Sequence, residues 1–215
     1  MNKKPFPKAL TALLVATCLG SAVFAVVANR NYVYGAYKNS TDQPERVYQQ
    51  DAFLPAGYFN DHPVKIAVSN KFSDEEFAEI EKGITKLDGY AQGIRFEIVR
   101  TSKTTKRKDE QIIILKDTKC KHTIDNEHYY CGMTYYTQNK TKIEDYNGTI
   151  YLNNSISNEL IEKTTMHEIL HVFGFEHEND FRSIMFYTMG HVSTQPTQKD
   201  IENINKKFPA AEQEQ

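Results

Sequence analysis

The sequence carries no dominant charge. Its 26 basic and 28 acidic residues leave a formal net charge of −2 over 215 residues. A chain so balanced has no bulk attraction for a polyanion, so nucleic acid is not an expected partner. Cysteine is scarce. Of three, Cys18 falls within an N-terminal apolar run, which leaves Cys120 and Cys131 to crosslink a folded domain. Internal repeats and low-complexity tracts are missing, which excludes solenoid and fibrous architectures. What is present is globular: 40% hydrophobic and 25% charged residues, in a length that suits one domain with a core.

Lys3, Lys4 and Lys8 precede Ala9 to Ala28, a run of 20 residues without a charge. A basic start followed by an apolar run is the pattern of an export signal. Two outcomes stay open: cleavage near Ala25 or Ala28, or retention as a membrane anchor, since about 20 apolar residues span a bilayer. Cleavage would remove three of the 26 basic residues, leaving 23 against 28 acidic ones and a charge near −5. The expected organisation is residues 1–28 as signal or anchor, 29–60 as an extended lead-in, stem or short pro-segment, and 61–215 as the folded domain.

The stretch that organises the domain is His167-Glu168-Ile169-Leu170-His171-Val172-Phe173-Gly174-Phe175-Glu176-His177. A helix turns about 100° per residue, so His167 and His171 stand one turn apart on one face and can reach one metal ion. Glu168 follows the first ligand and points beside the metal, where a carboxylate can act as general base on metal-bound water. Gly174 takes a left-handed turn at little cost, ends the helix and returns the chain so that His177 becomes a third ligand. Three protein ligands leave a fourth position open, the catalytic rather than the structural arrangement of zinc.

HExxHxxGxxH fixes five positions over eleven residues, and the motif resembles that of the metzincin zinc metallopeptidases. Ser183-Ile184-Met185-Phe186-Tyr187 is similar to the family's Met-turn. The resemblance implies that Met185 forms an apolar floor under the zinc histidines. Two branches of the family are mixed in this chain. Glu178 directly after His177, and Tyr187 two residues after Met185, resemble the astacin branch, in which such a tyrosine touches the zinc or the transition state. The seven residues between His177 and Met185 resemble the matrixin branch, in which no such tyrosine works. Tyr187 is therefore either a catalytic candidate or a packed aromatic. Many metzincins are held inactive by a segment whose cysteine or acid ligates zinc. No such cysteine motif is visible, since Cys18 lies within the N-terminal run; Asp51 or Asp61 could serve instead. The likeness is strict over residues 167–187 and weaker over 63–208.

Local patterns agree with an α+β, zincin-like domain. Val64, Ile66 and Val68 alternate as a half-buried strand. Ser73-Asp74-Glu75-Glu76 is a capping box opening a helix with Phe77, Ile80, Ile84 and Leu87 on one side, ended by Gly89 and Gly93. Ile94, Phe96 and Ile98 alternate again, Ile112 to Leu115 read as a strand buried on both faces, and Gly148 to Leu152 as another. This order predicts a mixed, mostly parallel sheet with helices against it. The motif helix opens near Ser157 or Asn158, and Thr197 caps a closing helix with Ile201, Ile204 and Phe208 on one face. The basic residues in Lys103 to Lys108 read as a solvated loop.

Cys120 and Cys131 are 11 apart in an exported chain, which favours a disulfide. The rival reading joins Cys120, His122, His128 and Cys131 in a second zinc site. Gly132 to Thr137 follows, and in the family an edge strand near this point binds the peptide as an added strand. That role falls on Met133, Thr134 and Tyr135, against the alternative of an ordinary edge strand. The resulting expectation is a monomeric, exported endopeptidase holding one catalytic Zn2+ and acting on a peptide or protein, with membrane contact only if the N-terminal run stays attached. The competing expectation is an exported zinc-binding or adhesion module without turnover.

Overall fold

The computed structural model describes residues 46–105, 109–118, 130–187 and 195–212. Strand β1 (His62–Ser69) lies inside the sheet and pairs in parallel with β2 (Ile94–Thr101) on one side and β3 (Ile112–Asp117), the central strand, on the other. Beyond β3, strand β5 (Gly148–Asn153) is again parallel, and β4 (Gly132–Tyr136) closes the sheet antiparallel to β5. The order is β2-β1-β3-β5-β4, so three of the four ladders are parallel. The expected mixed, mostly parallel sheet is present.

Short helix α1 (Tyr58–Asp61) leads into β1, and α2 (Asp74–Tyr90) makes the crossover that parallel strands β1 and β2 require. The capping box of α2 is formed. Ser73 Oγ accepts the Glu76 N–H at 3.2 Å, and Glu76 Oε2 accepts the Ser73 N–H at 2.7 Å. The helix does not end at Gly89. It runs through Tyr90 and is capped by Ala91, whose N–H still reaches Leu87 O at 3.0 Å. Gly93 is needed for a close approach instead, because a Cβ there would lie 2.2 Å from Phe208 O.

Helix α3 (Asn158–Val172) carries the motif and is buried at every residue from Ile161 to Val172. It packs against α2, and its buried Glu162 meets Lys82 at 2.6 Å and Lys86 at 2.5 Å. The sheet face toward these helices buries Val64, Ile66, Val68, Ile112, Ile114, Ile150 and Leu152 in one cluster with Ile80, Ile84, Leu87, Met166 and Ile169. On the other face Ala67, Ile113 and Leu115 pack with Val99 and Tyr151. β1 is thus covered on both faces, not half-buried as its alternation suggested, because parallel strands in mid-sheet have no solvated side.

The closing helix α4 (Gln198–Lys207) starts at the Thr197 cap and brings Ile204 and Phe208 into an aromatic cluster with Phe59, Tyr146 and Phe173. That cluster supports the end of α3, where the chain turns toward His177. Among the described residues no helix is long and apolar enough to cross a membrane. Residues 1–28, on which the export reading rests, lie outside the described residues.

A three-histidine candidate metal centre

The last turn of α3 ends as the sequence requires. Gly174 has φ +86°, and its N–H donates to His171 O at 2.9 Å while the Phe175 N–H donates to Leu170 O at 3.0 Å. These two bonds are the Schellman arrangement, which caps the helix and reverses the chain within two residues. The reversal brings His177 back over the helix face that holds His167 and His171.

The three Nε2 atoms converge. His167 and His171 are 3.0 Å apart there, and His177 lies 3.2 Å from each. Zinc in tetrahedral coordination, with Zn–N bonds of about 2.0–2.1 Å, separates two ligand nitrogens by roughly 3.3 Å. The donor set therefore matches a small cation. It does not match three protonated rings, which would drive one another apart at this distance.

The rings are oriented from behind. His167 Nδ1 donates to Ile184 O at 2.8 Å, and His171 Nδ1 donates to Phe175 O at 2.7 Å. With Nδ1 protonated, each Nε2 presents a lone pair toward the common centre. Burial holds His167 well below the ordinary imidazole range and pulls His171 down to about 4, so both are neutral and able to ligate.

Ile184 belongs to the turn containing Met185, and that turn is anchored by a residue far along the chain. Asp200, 6% exposed, accepts Ser183 Oγ–H at 2.6 Å and the Ile184 N–H at 3.0 Å. The same carboxylate accepts the Thr197 N–H at 2.7 Å as part of the α4 cap. One buried acid thus ties the start of α4 to the carbonyl that orients His167. Met185 is 2% exposed and lines a small cavity with Leu170 and Phe175. Tyr187 is 37% exposed, with its ring 4.2 Å from that of Phe186.

Glu168 is buried, and burial pushes its carboxyl up to about 7 against the pull of a hydrogen bond from Thr134. Thr134 Oγ1 donates to Glu168 Oε2 at 2.5 Å. Thr134 lies on β4 with Gly132 and Tyr136 on the same face. A Cβ on Gly132 would come within 2.7 Å of Glu168 Oε1, and the Tyr136 ring lies parallel to that of His171 at 6.4 Å. Met133 and Tyr135 face the other way, Tyr135 edge-on to Tyr151 at 5.7 Å.

From the lead-in, Tyr48 stacks on Phe175 at 4.5 Å, and its hydroxyl accepts the Glu176 N–H at 3.2 Å. Arg46 pairs with Glu176. Asp51 is not directed at the histidines: it binds the Tyr146 hydroxyl and Lys207 Nζ, and Asp61 is exposed at the end of α1. The expected Cys120–Cys131 disulfide is not formed. Cys131 is a free, half-buried thiol, raised first by burial and then by the nearby Glu168 charge. Cys120, His122 and His128 lie outside the described residues, as do Arg107 and Lys108.

The motif flags the three histidines and Glu168 because they sit within eleven residues. It is silent on Thr134, Gly132, Tyr48 and Asp200. Only Asp200 leaves a trace, as the third residue of the Thr197 capping box.

No protein-family model matches the sequence, and no curated protein matches it either. Among solved structures, the fold is similar to archaemetzincin from Methanopyrus kandleri, with a TM-score of 0.46 and 9% identity, covering 67% of this chain and 94% of that one. It is also similar to high choriolytic enzyme 1, a hatching-enzyme zinc-protease from Oryzias latipes, with a TM-score of 0.44 and 15% identity over 76% of this chain and 94% of that one. The chemistry of the site rests on this chain's own residues.

Proposed function

We propose that this chain is an exported zinc endopeptidase. The observation that carries the reading is the convergence of three Nε2 atoms, each pair 3.0–3.2 Å apart. His167, His171 and His177 would hold one Zn2+. Zinc bound there supplies Lewis acidity and lowers the pKa of a coordinated water toward about 7.

The protein's own part in the reaction falls to Glu168. Placed directly after the first ligand and held by Thr134, Glu168 takes the proton of the attacking water and passes it to the leaving amine. Met185 gives the histidines an apolar floor. Tyr187, two residues after Met185 and 37% exposed, is the candidate for holding the developing oxyanion. The edge of β4 not paired to β5 offers residues 133–135 as a template on which an extended peptide adds as a strand. The basic start and the 20 uncharged residues after it support export.

The test is a quenched-fluorescence peptide library incubated with purified protein, with and without 1,10-phenanthroline, alongside metal analysis. The expected outcome is cleavage that stops with chelator, returns with zinc, and accompanies about one zinc per chain. Protein free of metal after zinc exposure, or cleavage indifferent to chelation, would overturn the reading.

A further inference from the structure

The geometry points to Thr134 as the residue that positions the Glu168 carboxylate, with Gly132 as the gap that admits it; this rests on the peptidase reading. β4 is five residues long, and the three on its helix-facing side are spent on the site. Thr134 Oγ1 lies 2.5 Å from Glu168 Oε2 and 3.1 Å from Glu168 O. A hydroxyl has one proton to give, and the nearer, charged acceptor takes it.

A glutamate side chain has three rotatable bonds, and an untethered one keeps up to about 2 kcal/mol of rotamer freedom. Two features of β4 remove that freedom here. The hydroxyl fixes Oε2. On the other side, a Cβ at Gly132 would sit 2.7 Å from both Glu168 Cγ and Oε1, and 2.7 Å from Thr164 Cγ2. Only a residue without a side chain leaves that space to the carboxylate. The bare α-carbon of Gly132 thus leaves Oε1 the position that a methyl group would contest.

The Thr134 hydroxyl acts through Glu168; only the backbone of Thr134, at the strand edge, is offered to a peptide. The test compares Thr134→Val, which keeps the shape and loses the hydroxyl, with Thr134→Ser, which keeps the hydroxyl, and with Gly132→Ala. Four quantities are read: kcat and KM on the best library peptide, zinc content, melting temperature, and the Kd of acetohydroxamate, a zinc chelator whose hydroxyl proton the base accepts. Thr134→Val should retain zinc and fold, lose about 10- to 100-fold in kcat with KM nearly unchanged, and bind acetohydroxamate about tenfold more weakly. Thr134→Ser should recover most of both, and Gly132→Ala should lose kcat at least as strongly as Thr134→Val.

Unchanged kcat and Kd in Thr134→Val would overturn the assignment. So would a raised kcat, which would mean that Thr134 holds Glu168 out of action, or failure of Thr134→Ser to rescue. Should Thr134→Val not fold, the Thr134→Ser and Gly132→Ala pair decides by the same readouts. If the unmodified protein binds zinc and acetohydroxamate but cleaves no peptide, the peptidase reading fails, and the Kd series still reports on Thr134.

Discussion

The two edges of the sheet are built for different work. Edge strand β2 has eight residues and exposes Arg95, Glu97 and Arg100. Charges of this kind blunt an open edge against pairing with other chains. Edge strand β4 has five residues, Gly132 to Tyr136, none charged, and three of the five are buried. Its helix-facing side meets Glu168 and His171, and among the described residues no strand pairs with its outer edge. One edge is charged and exposed, and the other packs its inner side on Glu168. Substitutions near β4 should therefore be read in activity, and those on β2 hardly at all.

The sharpest way to break that contrast is Glu168→Gln. Loss of the base should lower kcat by about 10²–10⁴ with zinc still bound, measured by peptide hydrolysis and metal analysis. Zinc loss or retained activity would remove the site edge from the argument. The same variant carries a pH signature in the metal-free protein. Burial raises the folded-state pKa of Glu168 to about 7, above its ordinary value of 4.5. The folded state thus binds the extra proton between those values, and its stability falls as pH rises from about 4.5 to 7. Gln has no such dependence. Metal-free Glu168→Gln should be more stable than the unmodified protein at pH 8, by up to about 3 kcal/mol, and the two should converge toward pH 5. Thermal melts at both values check this.

What the sequence discloses follows contact range. His167, Glu168, His171 and Gly174 are set by helix periodicity and one glycine turn, so spacing alone places them. The strands and both capping boxes are equally local. Thr134 and Glu168 are 34 residues apart and meet only because β4 is laid antiparallel on β5 beside α3. Asp200 reads as an ordinary cap, and its grip on Ser183 and Ile184 depends on how α4 docks. Tyr48 is one of several tyrosines in an aperiodic lead-in, and nothing in its neighbours announces the stack on Phe175. Gly89 misleads because a glycine inside a helix costs only about 1 kcal/mol, which tertiary packing of Ile84 and Leu87 overrides.

Asp200→Asn probes the support behind the ligands. An amide has a single acceptor oxygen and cannot take the donors of Ser183, Ile184 and Thr197 together. The Ile184 carbonyl should lose its hold on His167, weakening zinc affinity by about 10- to 100-fold in a competition titration. Undiminished affinity would show that the Met185 turn stands without Asp200. Tyr48→Ala removes the stack on Phe175 and the acceptor for the Glu176 N–H, both on the loop between the second and third ligands. A stability loss of about 2 kcal/mol is expected in denaturant melts, with a smaller fall in zinc affinity than for Asp200→Asn.

The smallest effect belongs to the far edge. Glu97 on β2 is half-exposed and lies 4.0 Å from Lys65, at the limit of an ion pair. Exposed pairs of this kind contribute roughly 0–1 kcal/mol, because solvent screens them and two long side chains must be held in place. Glu97→Gln should therefore leave kcat, KM and zinc content unchanged and move stability by less than about 0.5 kcal/mol. Glu97 is separated from Glu168 by the width of the sheet, through β1, β3 and β5. A change in kcat from so remote and solvated a position would mean that the sheet couples its two edges, and the division of labour between β2 and β4 would have to be abandoned.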